Sequence, residues 1–85
     1  MTHPEPLSFA GFQSVLADLL HLDVAQIKPE AYFITDLGVD SIRMVEVLLR
    51  LEELGVEVTL DLAWRIQTVE DAYLYYQQQA TGGQA

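Results

Sequence analysis

Apolar residues recur at i, i+3, i+4 and i+7 in three stretches of the chain, and each stretch predicts a helix with one face turned to a core. In the first, Phe9, Phe12, Val15, Leu16, Leu19 and Leu20 share one arc. This helix is expected to start at Ser8 and run to Leu20 or His21, with Leu7 packing on Phe12 across the Ser8 cap. Gly11 inside it weakens it by up to about 1 kcal/mol relative to alanine. The second stretch, Ser41 to Leu54, ends at Gly55, the usual residue just past a helix end. The third is capped by Thr68, with Asp71 completing a weaker capping box. Its core positions are Val69, Ala72, Tyr73 and Tyr76.

The second helix carries more apolar surface than one core contact needs. On a wheel of about 100° per residue, Met44, Val47, Leu48, Leu51 and Leu54 form the core stripe. Ile42, Val45 and Leu49 lie on a separate arc with Ser41, bordered by Glu46, Glu52 and Glu53. Arg43 and Arg50 project between the two arcs. Such an arc is either buried against a second neighbour or left open as a docking patch. The carboxylate rim favours docking.

The connections are less regular. Leu22 to Asp40 is a long loop in which Asp23 starts a short turn and Pro29 bars a continuous helix. Ile27, Tyr32, Phe33 and Leu37 are its expected anchors, and Val39 pins its end. A loop of that length in so small a domain is functional or hides an element. After Gly55, Val56-Glu57-Val58 reads as an extended link that buries Val58 and, secondarily, Val56. Thr59 caps a short helix from Leu60 to Ile66 that meets the core through Leu62 and Ile66. Trp64 is expected in the core. The fold class is therefore all-α, a small antiparallel bundle of three main helices plus one short helix. It forms a single domain over residues 1–85, with an ordered core at about 8–77 and flexible tails at 1–6 and 78–85.

Composition narrows the function. The 85 residues are 51% hydrophobic, enough for one globular core of modest stability. Thirteen acidic against 4 basic residues give a net charge of −9, which disfavours nucleic acid and anionic membranes and favours partners with basic patches. There is no cysteine, so any thiol chemistry must come from an attached group. No apolar run is long enough to span a bilayer, and the start Met-Thr-His-Pro-Glu-Pro lacks the basic region of a signal peptide. A cytoplasmic monomer is the expectation.

Candidate chemistry centres on Asp36-Leu37-Gly38-Val39-Asp40-Ser41-Ile42, which ends the long loop and opens the second helix. Read locally, Ser41 is either a helix cap or a functional hydroxyl at a helix start. A catalytic serine would need a base and an oxyanion hole. There is no G-x-S-x-G elbow, and the only histidines are His3 and His21. Asp36, Asp40 and Glu46 do not match a calcium loop, and neither histidine has metal-ligand spacing, so no metal and no catalytic residues are assigned.

The run D-x-G-x-D-S followed by an aliphatic residue, on a helix that ends Leu-Glu-Glu, resembles the acyl carrier protein family. The likeness covers roughly Phe9 to Tyr76. It implies a non-catalytic carrier with 4′-phosphopantetheine attached covalently to Ser41. Acyl groups would ride on the arm as thioesters between biosynthetic enzymes, and Trp64, if not in the core, would line the place where an acyl chain rests. A phosphodiester on Ser41 suits a helix N-terminus. Asp36 and Asp40 add negative charge beside it, pointing to a basic partner or to help with Mg²⁺ during modification, and Gly38 supplies a tight turn or close backbone approach. The implied partners are a phosphopantetheinyl transferase and acyl-loading and acyl-processing enzymes with basic docking patches. They would read Ile42, Val45 and Leu49 by burial and Glu46, Glu52 and Glu53 by charge. Arg43 and Arg50 depart from the acidic helix common in fatty-acid carriers, and Leu54-Gly55 stands where the family often has another acidic residue and Phe. Both point to a discrete carrier of a specialised pathway, polyketide-like or loading an unusual acyl or aminoacyl unit. The alternatives are a peptidyl carrier and a helical adaptor without a prosthetic group.

Overall fold

A computed structural model describes residues 7–82, and the expected tail at 1–6 lies outside them. The described chain is all-helical: α1 (Phe9–Leu20), a short 3-10 turn (Val24–Gln26), α2 (Ser41–Glu53), α3 (Leu60–Arg65) and α4 (Val69–Gly82). Three main helices and one short one pack around a single core, as the periodicity predicts.

Local signals set the helix ends. The Ser8 hydroxyl accepts the Gly11 N–H at 3.1 Å, and α1 stops where His21 turns left-handed. α2 closes through the Gly55 N–H to Glu52 C=O and Val56 N–H to Leu51 C=O, with Gly55 at φ 103°. That positive φ is where glycine is required. At α4, the Asp71 N–H donates to the Thr68 hydroxyl and the Thr68 N–H donates to the Asp71 carboxylate, both at 3.1 Å. This is the reciprocal box predicted from the sequence. α4 continues to Gly82, beyond the expected end of the ordered core at residue 77.

Phe12, Leu16, Ile27, Phe33, Val47, Leu51, Val56, Val69 and Ala72 form the centre of the core, closed by Leu62, Ile66 and Tyr76. Phe12 stacks on Tyr76 at 5.6 Å between centroids, and Phe9 meets Tyr73 edge-on at 5.1 Å. The same two tyrosines hold Leu7: its N–H donates to the Tyr76 hydroxyl and its C=O accepts from Tyr73.

Three expectations about burial are corrected. Tyr32 is half exposed, while its neighbours Ala31 and Phe33 are buried. This segment is extended and bridges to Thr68, so successive side chains alternate in and out, and Tyr32 falls on the outward side. It is anchored through its backbone instead. In the link after α2, Val56 is the fully buried residue and Val58 is only partly covered. Trp64 is not in the core but is 80% exposed. The short helix allows one inward face, and Leu62 and Ile66 occupy it. Trp64 lies about 200° around the wheel from Leu62 and must point outward.

Candidate functional site

The loop before α2 is a chain of backbone hydrogen bonds ending at an exposed serine. Asp36 Oδ2 accepts the Tyr32 N–H at 2.8 Å, and the Tyr32 C=O accepts from both Asp36 and Leu37 at 3.0 Å. Gly38 then turns through φ 68°. A Cβ built there would meet nothing within 4 Å, so its role is the turn and not close approach. The Val39 N–H donates to Phe33 C=O at 2.8 Å, and both side chains are buried. The Phe33 N–H in turn donates to Gln67 C=O at 2.9 Å, tying this loop to the segment between α3 and α4.

Asp40 takes the cap position. Its backbone is extended, its Oδ1 accepts the Arg43 N–H at 2.9 Å, and its C=O accepts the Met44 N–H at 2.8 Å. Ser41 is therefore the first residue inside α2 and is not the cap. Its hydroxyl is exposed and makes no hydrogen bond among the described residues. The local choice between cap and free hydroxyl is thus decided by its neighbour. Asp36 and Asp40 each accept a backbone N–H, from Tyr32 and Arg43, which gives both acids a part in the loop geometry.

Beyond Ser41, the second arc of α2 is open. Ile42, Val45 and Leu49 are 74%, 54% and 53% exposed, whereas Val47 and Leu51 are buried. The reading of burial on two sides is excluded. The carboxylate rim is less acidic than the sequence suggests: Arg43 lies 3.5 Å from Glu46 and Arg50 2.8 Å from Glu53. Of the three rim glutamates, Glu52 makes no ion pair among the described residues. A shallow depression lined by Leu19 of α1 and by Glu46, Leu49, Arg50 and Glu53 of α2 adjoins this face. The arrangement offers one free alcohol in the positive field of a helix start, beside a flat apolar patch with partly neutralised edges.

A protein-family profile described as "Phosphopantetheine attachment site" matches residues 10–75. The chain is also 44% identical over 68 residues to the acyl carrier protein of Helicobacter pylori strain G27, covering 79% of this chain and 87% of that relative. The chain belongs to the acyl carrier protein family. Acyl carrier proteins of two other strains, ATCC 700392 / 26695 and J99, are 43% and 41% identical over the same length and coverage. As a member, the protein is a non-catalytic carrier with covalently attached 4′-phosphopantetheine, and its role brings it to a phosphopantetheinyl transferase and to acyl-processing enzymes. The residues present fit the group: an alcohol is needed, and one stands exposed and unengaged at a helix start. No helix among the described residues is long and apolar enough to cross a membrane.

Exposure of Leu60 on α3 escaped the sequence reading, as did its pairing with Trp64, which was expected in the core. The signal was present, since they are four apart and lie opposite Leu62.

Proposed function

We propose that this protein carries acyl groups as thioesters on a 4′-phosphopantetheine arm attached at Ser41. The observation that supports this is the freedom of the Ser41 hydroxyl, with Asp40 doing the capping beside it. On a transferase, that oxygen attacks the pyrophosphate of coenzyme A, forming a new phosphoester while adenosine bisphosphate leaves and the alcohol proton passes to a base. When bound, the group supplies a thiol, which this cysteine-free chain lacks. Asp36, Gly38 and Asp40 hold Ser41 at the surface, and an anion there sits in the field of α2. Ile42, Val45 and Leu49 are the apolar docking contacts, with Glu46, Glu52 and Glu53 at the rim facing basic patches on partners. The working unit is a cytoplasmic monomer, one domain over residues 1–85.

The pathway we propose is a specialised one, polyketide-like, served by discrete enzymes. Its support is the pairing of Arg43 and Arg50 with rim glutamates, which alters the charge pattern a partner meets. An aminoacyl or peptidyl cargo is the alternative.

The deciding experiment is intact mass after co-expression with a broad-specificity phosphopantetheinyl transferase. The wild-type chain gains one phosphopantetheine and Ser41→Ala gains none. An unchanged wild-type mass leaves a helical adaptor, and a gain in Ser41→Ala moves the attachment elsewhere. Loading assays with acyl and aminoacyl donors then separate the pathways.

A further inference from the structure

Arg50 of α2 holds a polar group that the fold leaves without a partner. Its Nη1 donates to the Glu53 carboxylate at 2.8 Å, but its Nε–H lies beneath the surface and meets no acceptor among the described residues. A buried donor left unmet costs free energy, which an acceptor brought to it recovers. The rest of the side chain is partly exposed, so a small turn of the guanidinium presents that N–H to the depression it lines.

The depression sits where α1 packs on α2. Leu19 and Leu49 give it apolar walls, and Glu46, Arg50 and Glu53 close its edges. Both carboxylates are already taken, Glu46 by Arg43 and Glu53 by Arg50. A partner's cation therefore gains less here than at Glu52, which has no ion pair among the described residues. What fits is a neutral, largely apolar group carrying one hydrogen-bond acceptor. The volume, about 190 Å³, is room for roughly six waters and falls below the range of sites for drug-sized ligands. The occupant is small.

Reach singles out which small group that is. Leu49 stands eight residues beyond Ser41 on α2, about 12 Å along the axis. The depression also lies about a third of a turn around the helix, so the path over its surface is roughly 17 Å. An arm of about 14 bonds between the Ser41 oxygen and its sulfur extends to roughly 16 Å, at about 3.5 Å for every three bonds. The amides of the arm fall short of the depression, and the group joined to the sulfur arrives in it. A thioester presents there one carbonyl acceptor followed by an apolar chain.

We infer that the depression between α1 and α2 is the resting seat of the cargo, in which the Arg50 Nε–H donates to the thioester carbonyl and Leu19 and Leu49 cover the first carbons of a short acyl chain. This rests on the reading of Ser41 as the attachment site, which the mass measurement on Ser41→Ala tests by itself. Leu49 belongs to the proposed docking face as well, so an enzyme seated on that face empties the depression and takes delivery of the cargo.

The test compares three forms of the full chain: apo, holo and butyryl-loaded. They are prepared with a broad-specificity transferase and coenzyme A or butyryl-coenzyme A, and intact mass confirms each. A chain that gains no mass overturns the attachment reading and this inference with it, whereas a loaded chain puts the seat alone to the test. The chain has three arginines, so their Nε–H groups give three NMR signals, and Arg50→Met identifies the one from Arg50 by its loss. Butyryl loading is expected to shift that signal and the Leu19 and Leu49 methyl signals, with little change from apo to holo. In Arg50→Met, which keeps an apolar stem, the methyl shifts should fall by at least half. Signals unmoved by butyryl loading overturn the seat. So do shifts already complete in the holo form, which assign the depression to the arm, and shifts that vanish on dilution, which assign it to a second copy. Methyl shifts undiminished in Arg50→Met overturn the part given to Arg50.

Discussion

Gly38 and Asp40 carry the geometry of the loop before Ser41 for different reasons. At Gly38 the difficulty is conformational alone, since φ is 68° and a Cβ would touch nothing within 4 Å. Gly38→Ala is expected to cost about 1–2 kcal/mol, the usual penalty of left-handed backbone, and Gly38→Asn less, because asparagine tolerates that region. Urea unfolding of the two variants checks the order. Asp40 contributes a hydrogen bond of 2.9 Å to the Arg43 N–H. Asp40→Ala removes the cap and is expected to lower stability by about 1 kcal/mol, a fall of roughly 4–8 °C in Tm for a domain of this size. Asp40→Asn keeps an acceptor and should stay close to the wild type in the same thermal melt.

Among the elements, α2 is the one whose two faces have separate tasks. Its ion pairs are exposed and lie within one turn, so they do little for stability. Glu53→Gln is expected to change the unfolding free energy by less than about 1 kcal/mol. Their effect is on the field that a partner meets. Arg43 is paired with Glu46 near the helix start, and replacing it with an acid removes a positive charge and frees a negative one. Arg43→Glu is therefore expected to steepen the fall of transferase kcat/KM with added salt, as rates are measured from low to physiological ionic strength. A salt slope equal to that of the wild type means the pairs do not mask the rim. α4 has a structural task instead. Tyr73→Phe deletes the hydroxyl that bonds Leu7 C=O and should cost about 1 kcal/mol with the ring packing kept.

At the scale of the whole molecule, a small core supports everything. Phe12 is fully buried and touches the rings of both Tyr73 and Tyr76. Phe12→Ala is expected to cost about 3–5 kcal/mol. A domain of this size has roughly 4–13 kcal/mol in total. The variant should be largely unfolded or melt tens of degrees early, which far-UV circular dichroism on heating reveals. Trp64→Ala should leave the same melt unchanged, because its side chain lies outside that core.

Sequence by itself determined the helices, their caps and the motif around Ser41, because these depend on neighbours within one or two turns. The arc of Phe9 to Leu20, the Thr68–Asp71 box and the two faces of α2 are all local patterns, and each was legible. It also carried the run from Asp36 to Ile42 that resembles the carrier family, because its residue types and spacing are contiguous. Only the tertiary structure decided which competing groups win. Tyr32 turned outward while Ala31 and Phe33 turned in, and Val56 and not Val58 took the buried place after α2. Trp64 was left outside for the same reason: a helix of six residues has one buried face, and a shape-filled core admitted Leu62 and Ile66 there instead.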